Sequence, residues 1–166
     1  MEKHIYITNG VGGCGKDTFA KFLNEFTTVM KYSSIDKVKT IATACGWNGS
    51  KTEKDRKFLS DLKCLTSEYS DMPFKDIKRM VDLFLDKNNA KVLLIDIREP
   101  AEIERAKNEF GAETILIVNN NIPHITSNMA DKNVHKYAYD YVIENNGTLE
   151  DFRHAVEQFA RERNLI

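Results

Sequence analysis

A glycine-rich segment that ends in a lysine, G-V-G-G-C-G-K-D-T over residues 10–18, is the part of this sequence best suited to chemistry. Its glycines allow the backbone to adopt positive φ and to turn N–H groups inward, toward an anion. A helix that follows adds the partial positive charge of its amino terminus, and a lysine at this place can reach terminal phosphates. The glycines are Gly10, Gly12, Gly13 and Gly15, and the lysine is Lys16. The segment predicts a phosphate-binding loop for a nucleoside triphosphate.

The sequence on either side of this loop decides between that interpretation and a glycine-rich turn with an unrelated lysine. The apolar run Ile5–Ile7 precedes the loop, and apolar residues at helical spacing, from Phe19 to Phe26, follow it. A strand before the loop and a helix after it are what a phosphate-binding loop requires. We therefore expect the nucleotide to contact Gly10, Val11, Gly12, Gly13, Cys14, Gly15, Lys16, Asp17 and Thr18.

Asp17 stands where a serine or threonine commonly supplies a hydroxyl group to Mg²⁺, and Thr18 comes one position late. A carboxylate can hold Mg²⁺ directly or through water. An anion beside a triphosphate is costly unless the metal lies between them. Asp17 is thus a candidate metal ligand; the alternative is that it only places a favourable charge in the first helical turn.

A second candidate element is Asp96-Ile97-Arg98, directly after the apolar run Val92–Ile95. An aspartate that ends a buried strand commonly meets Mg²⁺ or its water shell, and the arginine has a planar group suited to a pair of phosphate oxygens. Lys16, Asp96 and Arg98 are the predicted catalytic residues, with Asp17 and Asp96 as metal ligands. The alternative is a helix cap at Asp96 and a surface ion pair at Arg98.

Length and composition fit one domain of 166 residues with a formal charge of −1. No basic run suggests nucleic-acid binding, and no apolar stretch is long enough to cross a membrane. Since a core strand begins within a few residues of Met1, we expect no signal peptide. The dispersed cysteines Cys14, Cys45 and Cys64 favour neither a zinc site nor a disulfide framework. We expect a cytoplasmic monomer or homodimer that acts on a small molecule.

Strand and helix patterns alternate along the chain, which predicts an α/β fold with a doubly wound, five-stranded parallel sheet. The predicted strands are His4–Thr8, Val29–Ile35, Val92–Ile95, Thr114–Val118 and Tyr141–Ile143. A short helix over Lys37–Cys45 precedes a helical insertion at residues 47–88, and residues 119–139 form a lid-like segment.

Apolar residues at helical spacing predict which helix faces are buried. One such stripe, from Phe58 to Tyr69, and a second, from Phe74 to Phe84, lie in the insertion. The last helix should bury Leu149 with Phe152, and Thr148 with Asp151 forms the pattern of a capping box.

Taken together, these motifs resemble those of the phage-type deoxynucleoside monophosphate kinases. The matching segments are the G-K-D-T loop, Asp36-Lys-Val-Lys39, Asp96-Ile-Arg98-Glu-Pro, Arg56-Lys-Phe-Leu and Asn145-Asn-Gly147. Animal phosphomevalonate kinases and dephospho-coenzyme A kinases are similar at lower resolution. The resemblance spans nearly the whole chain and implies the P-loop fold of nucleoside monophosphate kinases, with ATP and Mg²⁺ as cofactors.

The resemblance also assigns roles to individual residues. It implies that the acceptor is held by Asp36, Lys39, Arg56 and Arg98, and that Asn145 and Gly147 lie near the adenine. The usual arginine-bearing lid has no counterpart, because residues 119–139 contain no arginine. Lys132, His135 and Lys136 are the available lid groups, and His135 is alternatively a solvated loop histidine.

Three functions remain open at this point. The first is an ATP-dependent kinase for a small phosphorylated acceptor, in particular a nucleoside or deoxynucleoside monophosphate. The second is a kinase of the same fold for a non-nucleotide phosphorylated metabolite. The third is a nucleotide-binding sensor with slow hydrolysis. Such a protein would be expected to carry a glutamine that positions water in its switch loops. The sequence has one glutamine, Gln158, and it lies on the last helix, which disfavours this function.

Overall fold

The computed structural model describes residues 2–122 and 133–166. Within these residues, five strands form one parallel sheet in the order β2-β3-β1-β4-β5, with helices on both faces. The strands are β1 (His4–Asn9), β2 (Val29–Ser33), β3 (Val92–Asp96), β4 (Glu113–Val118) and β5 (Tyr141–Glu144). The helices are α1 (Lys16–Phe26), α2 (Asp36–Ala44), α3 (Glu53–Ser70), α4 (Met72–Lys87), α5 (Pro100–Phe110) and α6 (Leu149–Glu162). This is the predicted fold class.

The register of the three central strands brings their carboxyl ends together. Thr8 on β1 and Ser33 on β2 are both aligned with Asp96, the last residue of β3. In a parallel sheet all carboxyl ends lie at one edge, where ligands of this class of fold bind. The loop after β1, the start of α2 and the segment after β3 therefore meet at the same edge.

Alternation along the strands divides the core into two layers. Tyr6 and Leu94 face α1 and α6, whereas Ile7 and Leu93 face α4 and α5. All four side chains are almost completely buried. A central strand that is covered on both faces typically has a continuous apolar sequence, and Val92–Ile95 is such a sequence.

Most predicted element boundaries are correct to within one or two residues. The capping box at Thr148 is confirmed: Asp151 N donates to Thr148 Oγ1 at 3.2 Å, and Thr148 N donates to Asp151 Oδ2 at 2.8 Å. The second strand ends at Ser33 rather than Ile35, because Asp36 accepts a hydrogen bond from Ser33 N and begins α2 there.

The prediction that both apolar stripes of the insertion are core is wrong for the first of them. α4 buries Phe74, Ile77, Val81 and Phe84. In contrast, α3 has no buried residue, and Leu65 and Tyr69 are 64% and 89% exposed. The physical reason is that the main neighbours of α3 are the helices α2 and α4.

Leu149 was also predicted to be buried and is 68% exposed. It is the first residue of α6, and the buried residues of this helix begin at Phe152. None of the helices in the described part of the chain is both long and apolar enough to span a bilayer.

Candidate active site at the carboxyl edge of the sheet

The loop between β1 and α1 has the backbone that its glycines predict, with one exception. Gly10, Gly13 and Gly15 have φ of 150°, 84° and 109°. A Cβ atom at Gly10 would lie 2.5 Å from Ile117 O, and one at Gly15 would lie 2.6 Å from Asn145 Nδ2. Gly12 was expected to need positive φ as well, but it has none and no atom crowds it. The loop thus depends on glycine where it approaches β4 and the turn after β5.

Lys16, the first residue of α1, folds back over this loop. Its Nζ donates to Gly10 O at 2.6 Å and to Val11 O at 3.2 Å. Cys14 lies beneath, fully buried, with its Sγ 3.8 Å from the same Nζ. Burial raises the pKa of the Cys14 thiol, although Lys16 opposes this effect. The ammonium group is therefore held among the loop carbonyls, where a phosphate can compete for it.

Asp17 and Asp96 share a partner that the sequence did not reveal, Lys31 on β2. Lys31 Nζ lies 3.1 Å from Asp96 Oδ2 and also binds Asp17 Oδ1. Thr8, buried on β1, donates to Asp96 Oδ1 through its hydroxyl group. Asp96 does not cap α5, whose N-cap is Glu99. Two predicted metal ligands therefore converge on one cation.

The charges of this group reinforce one another. The hydrogen bond from Lys31 lowers the pKa of Asp17, against the smaller opposing effect of burial. Burial alone would lower the pKa of Lys31, but its two carboxylate partners outweigh burial and raise it. At neutral pH Asp17 is therefore an anion and Lys31 a cation.

Arg98 follows the buried Ile97 at the end of β3 and is itself half-buried. Its carbonyl oxygen accepts a hydrogen bond from Asn9 Nδ2 at 3.2 Å. Asn9 also donates to Tyr139 Oη at 2.8 Å and accepts from Gly10 N at 2.8 Å. Asn9 thus joins the phosphate-binding loop, the segment after β3 and the residues before β5.

The predicted acceptor residues other than Arg98 occupy two separate places. Asp36 and Lys39 lie together at the start of α2, with Lys39 Nζ 3.3 Å from Asp36 Oδ1. Arg56 lies in the first turn of α3, where its Nε donates to Lys51 O at 3.2 Å and the residue is exposed. The structure does not bring Arg56 into contact with Asp36, Lys39 or the loop.

A different insertion residue, Lys63, reaches the strand ends. Its Nζ lies 2.6 Å from Glu102 Oε2 on α5 and 3.2 Å from Ser34 Oγ, directly after β2. The side chains of Lys63 and Glu102 are only 21% and 16% exposed. Nothing in the sequence around Lys63 marks it, since its partners lie on elements that only the fold brings close.

The turn after β5 packs against the phosphate-binding loop. Asn145 Nδ2 donates to Cys14 O at 2.9 Å, and Asn145 N donates to Val118 O at 2.7 Å. The next residue, Asn146, accepts from Asn120 N at 2.7 Å. The predicted adenine-side residues therefore support the loop and the end of β4.

Part of the predicted lid falls within the described residues. His135 and Lys136 are exposed on a short 3₁₀ helix, Val134–Lys136. Lys132 lies outside the described residues. Beside the loop is a cavity of about 260 Å³. It is lined by Val11, Ile117, Val118, Asn119, Asn120, Ile122 and His135.

Oxygen ligands, which Mg²⁺ prefers, are present at this edge in Asp17 and Asp96. Among the residues that the structure describes, no three His, Cys, Asp or Glu side chains cluster as a metal site by themselves.

No family model matches the sequence, and no curated protein matches it. Solved structures do share the fold. A dephospho-CoA kinase from Campylobacter jejuni is 19% identical with a TM-score of 0.51, over 96% of this chain and 97% of that one. A shikimate kinase from Bacteroides thetaiotaomicron is 15% identical with a TM-score of 0.51, over 98% of both chains. A thymidylate kinase from Candida albicans is 11% identical with a TM-score of 0.54, over 99% of this chain and 93% of that one. The chain has the fold of the P-loop kinases.

Proposed function

We propose that this protein is an ATP-dependent phosphotransferase that moves the γ-phosphoryl group of ATP to a small phosphorylated acceptor, a nucleoside or deoxynucleoside monophosphate. The observation that carries the proposal is that Lys16 and Asp17 begin α1 at the same edge of the sheet where β3 ends in Asp96 and Arg98 follows, with Lys31 in contact with both aspartates. Similar structures that include a dephospho-CoA kinase and a thymidylate kinase support the same class of reaction.

On the donor side, the loop amides and Lys16 bind the triphosphate. The ammonium group of Lys16 exchanges the carbonyl oxygens of Gly10 and Val11 for phosphate oxygens, which are stronger, charged partners. The turn Asn145–Gly147 lies against the loop and forms part of the site for the base. The neighbouring cavity of about 260 Å³ is the second part of this site.

Asp17 and Asp96 are the residues that would hold Mg²⁺. When bound, the metal neutralises charge that develops on the transferred phosphoryl group. The protein contributes Asp96 from a rigid strand end, with one oxygen fixed by Thr8. Asp17 would contribute a second carboxylate from the first turn of α1, and its side chain is 97% exposed.

On the acceptor side, three cationic residues come from elements that meet at the carboxyl edge of the sheet, and two of them are paired with carboxylates. Arg98 follows β3, Lys39 lies on α2, and Lys63 reaches in from α3. A phosphate monoester attacks through an oxygen that is already anionic at neutral pH, so it needs no strong general base. It does need cations that hold it against its own repulsion, and phosphoryl transfer depends mainly on such positioning.

A turnover screen tests the proposal. ATP is offered with ribonucleoside and deoxynucleoside monophosphates, phosphomevalonate, dephospho-coenzyme A and shikimate, and ADP formation that depends on the acceptor is measured. Transfer to a nucleoside monophosphate is the expected result. Transfer only to a non-nucleotide acceptor would show that the proposed substrate class is wrong. Hydrolysis of ATP that does not depend on any acceptor would contradict the proposal that the protein is a kinase.

A further inference from the structure

The Lys31 ammonium group has no role in the scheme above, although it lies at its centre. It contacts one carboxylate from the helix after the phosphate-binding loop and one from the end of β3. These elements belong to separate parts of the chain, and Lys31 itself comes from a third, the edge strand β2. The side chains of Lys31 and Asp96 are 28% and 18% exposed, so the contact is partly shielded from water.

Lys31 is the cation that both carboxylates contact, and Lys16 and Lys39 add positive charge near Asp17. A dication is attracted to the same two carboxylates. A divalent ion that joined all three groups would meet the repulsion of Lys31 at short range, and this repulsion is larger in a partly shielded site than in water. Metal and Lys31 therefore compete for the same carboxylate oxygens.

We propose that Lys31 is an internal counter-ion for Asp17 and Asp96, and that it must leave at least one of them when a metal–nucleotide complex binds. This inference rests on the proposed function, since it takes Asp17 and Asp96 as metal ligands. Without nucleotide, Lys31 keeps the carboxylates paired and weakens the binding of free divalent cations. With nucleotide, phosphate oxygens offer the displaced ammonium group new anionic partners.

A lysine suits such an exchange better than an arginine does. Its charge is a compact point on a flexible four-carbon stem, which binds without the fixed bidentate geometry of a guanidinium group. After it releases one carboxylate, the Lys31 side chain can bind a phosphate oxygen instead. If the contact served stability alone, its loss would change unfolding and leave the metal affinity unchanged.

The test measures Mn²⁺ binding to the whole protein without nucleotide, from the electron paramagnetic resonance signal of the free ion. Lys31→Met removes the charge and keeps the stem, Lys31→Gln is a second neutral variant, and Lys31→Arg keeps a cation. Lys21→Met, at an exposed position of α1, is the matched control. Thermal unfolding establishes that each variant is folded.

We expect both neutral variants to bind Mn²⁺ at least about tenfold more tightly than the wild type, because an opposing charge has been removed. Lys31→Arg and Lys21→Met should bind it as the wild type does. The double variant Asp17→Asn with Lys31→Met should lose the gain, because one of the two carboxylates is then neutral.

Unchanged Mn²⁺ affinity in folded Lys31→Met and Lys31→Gln would overturn the counter-ion role. If Asp96→Asn still weakened the binding of Mn²⁺ with ATP, the metal assignment would stand and this inference alone would fail. If neither aspartate affected that binding, the metal site and this inference would both be wrong. The kinase itself would still be judged by the turnover screen.

Discussion

At the scale of single residues, the candidate site is a set of charges that already have partners. Lys16 binds loop carbonyls, Lys31 binds two carboxylates, and Lys63 binds Glu102. In the proposed reaction, phosphate oxygens would replace these partners. Replacing a side chain that faces phosphate and contributes little to the core should lower activity and leave the stability of the fold nearly unchanged.

Lys16→Ala tests the donor side. We expect phosphoryl transfer to fall by at least about 100-fold, since a charge that faces the transferred group typically contributes several kcal/mol to the transition state. The melting temperature should change little, because Lys16 is partly exposed and its side-chain hydrogen bonds are to Gly10, Val11 and Cys14 of its own loop. A folded variant with normal turnover would show that the phosphate-binding loop is wrongly assigned.

Asp17→Asn and Asp96→Asn test the metal ligands. Each change should raise the Mg²⁺ concentration required for half-maximal activity, and Asp96→Asn should raise it more. Asp96 is held by Thr8 at a rigid strand end, whereas the Asp17 side chain is 97% exposed. Titration of activity with Mg²⁺ at saturating ATP distinguishes them. An unchanged requirement in both variants would leave Asp17 as a favourable helix-end charge.

Arg98→Met tests the acceptor side, with Arg56→Met as the matched comparison. Methionine keeps most of the apolar stem and removes the cationic group. The acceptor KM should rise about tenfold or more in Arg98→Met, kcat should fall, and ATP affinity should stay nearly constant. Arg56→Met should change the acceptor KM less, because Arg56 lies in the first turn of α3 and its Nε donates to Lys51 O.

Binding measurements with ATP alone and with acceptor alone separate the two sides. If Arg98→Met weakened the binding of ATP and spared the acceptor, donor and acceptor would be assigned the wrong way round.

At the scale of elements, the site depends on contacts between segments that are distant in sequence. Asn9 joins the phosphate-binding loop to the segment after β3, and Asn145 joins it to the turn after β5. None of these three hydrogen bonds involves a charged group. These amides hold the loop in shape and should influence affinity through its geometry.

Asn145→Ala tests this support. Loss of the hydrogen bond to Cys14 O should weaken nucleotide binding by about three- to tenfold, because a typical intramolecular hydrogen bond contributes about 1 kcal/mol. The Mg²⁺ requirement should stay the same. Asn108→Ala, at an exposed position of α5, is the control. Equal nucleotide affinity in both variants, measured by calorimetry, would contradict a supporting role for Asn145.

Local patterns explain why much of the fold could be predicted from the sequence. The glycines of the loop, the capping box at Thr148 and the apolar run of β3 each depend on neighbouring residues. In contrast, Lys31 meets Asp17 across 14 positions and Lys63 meets Glu102 across 39. No periodicity encodes such pairs, and the same limit explains the exposed face of α3, whose apolar spacing does not reveal what covers it.

At the scale of the whole molecule, the two ends of the parallel strands carry different kinds of contact. The carboxyl edge carries the proposed chemistry. At the opposite edge, Asp140 accepts hydrogen bonds from Thr114 N and Oγ1, both at 2.8 Å, and from Lys107 Nζ at 2.7 Å. This network ties β4 and α5 to the residue before β5. We expect it to serve stability and not catalysis.

The stability of the protein should depend on pH through Asp140. Burial alone would raise the pKa of this carboxyl group, but the bonds from Lys107 and Thr114 outweigh burial and lower it. A lowered pKa in the folded state means that the contribution is complete above the ordinary carboxyl range. It is lost as pH falls through the folded value.

Asp140→Asn should therefore reduce the free energy of unfolding by about 1–2 kcal/mol at neutral pH and by less in acid. Urea unfolding at several pH values measures this, and the KM values for ATP and acceptor should not change. A loss of stability that is equal at all pH values would show that the carboxylate charge does not contribute.

The position of Cys14 gives this protein an internal reporter of loop opening. The thiol is fully buried beneath Lys16, and its raised pKa makes the reactive thiolate scarce, whereas Cys45 and Cys64 are exposed. With both exposed cysteines replaced by serine, a thiol reagent can modify the protein only when the loop opens and Cys14 loses its proton. The modification rate then reports how often the loop unfolds locally. Its slowing by nucleotide would measure ligand binding without any catalytic turnover.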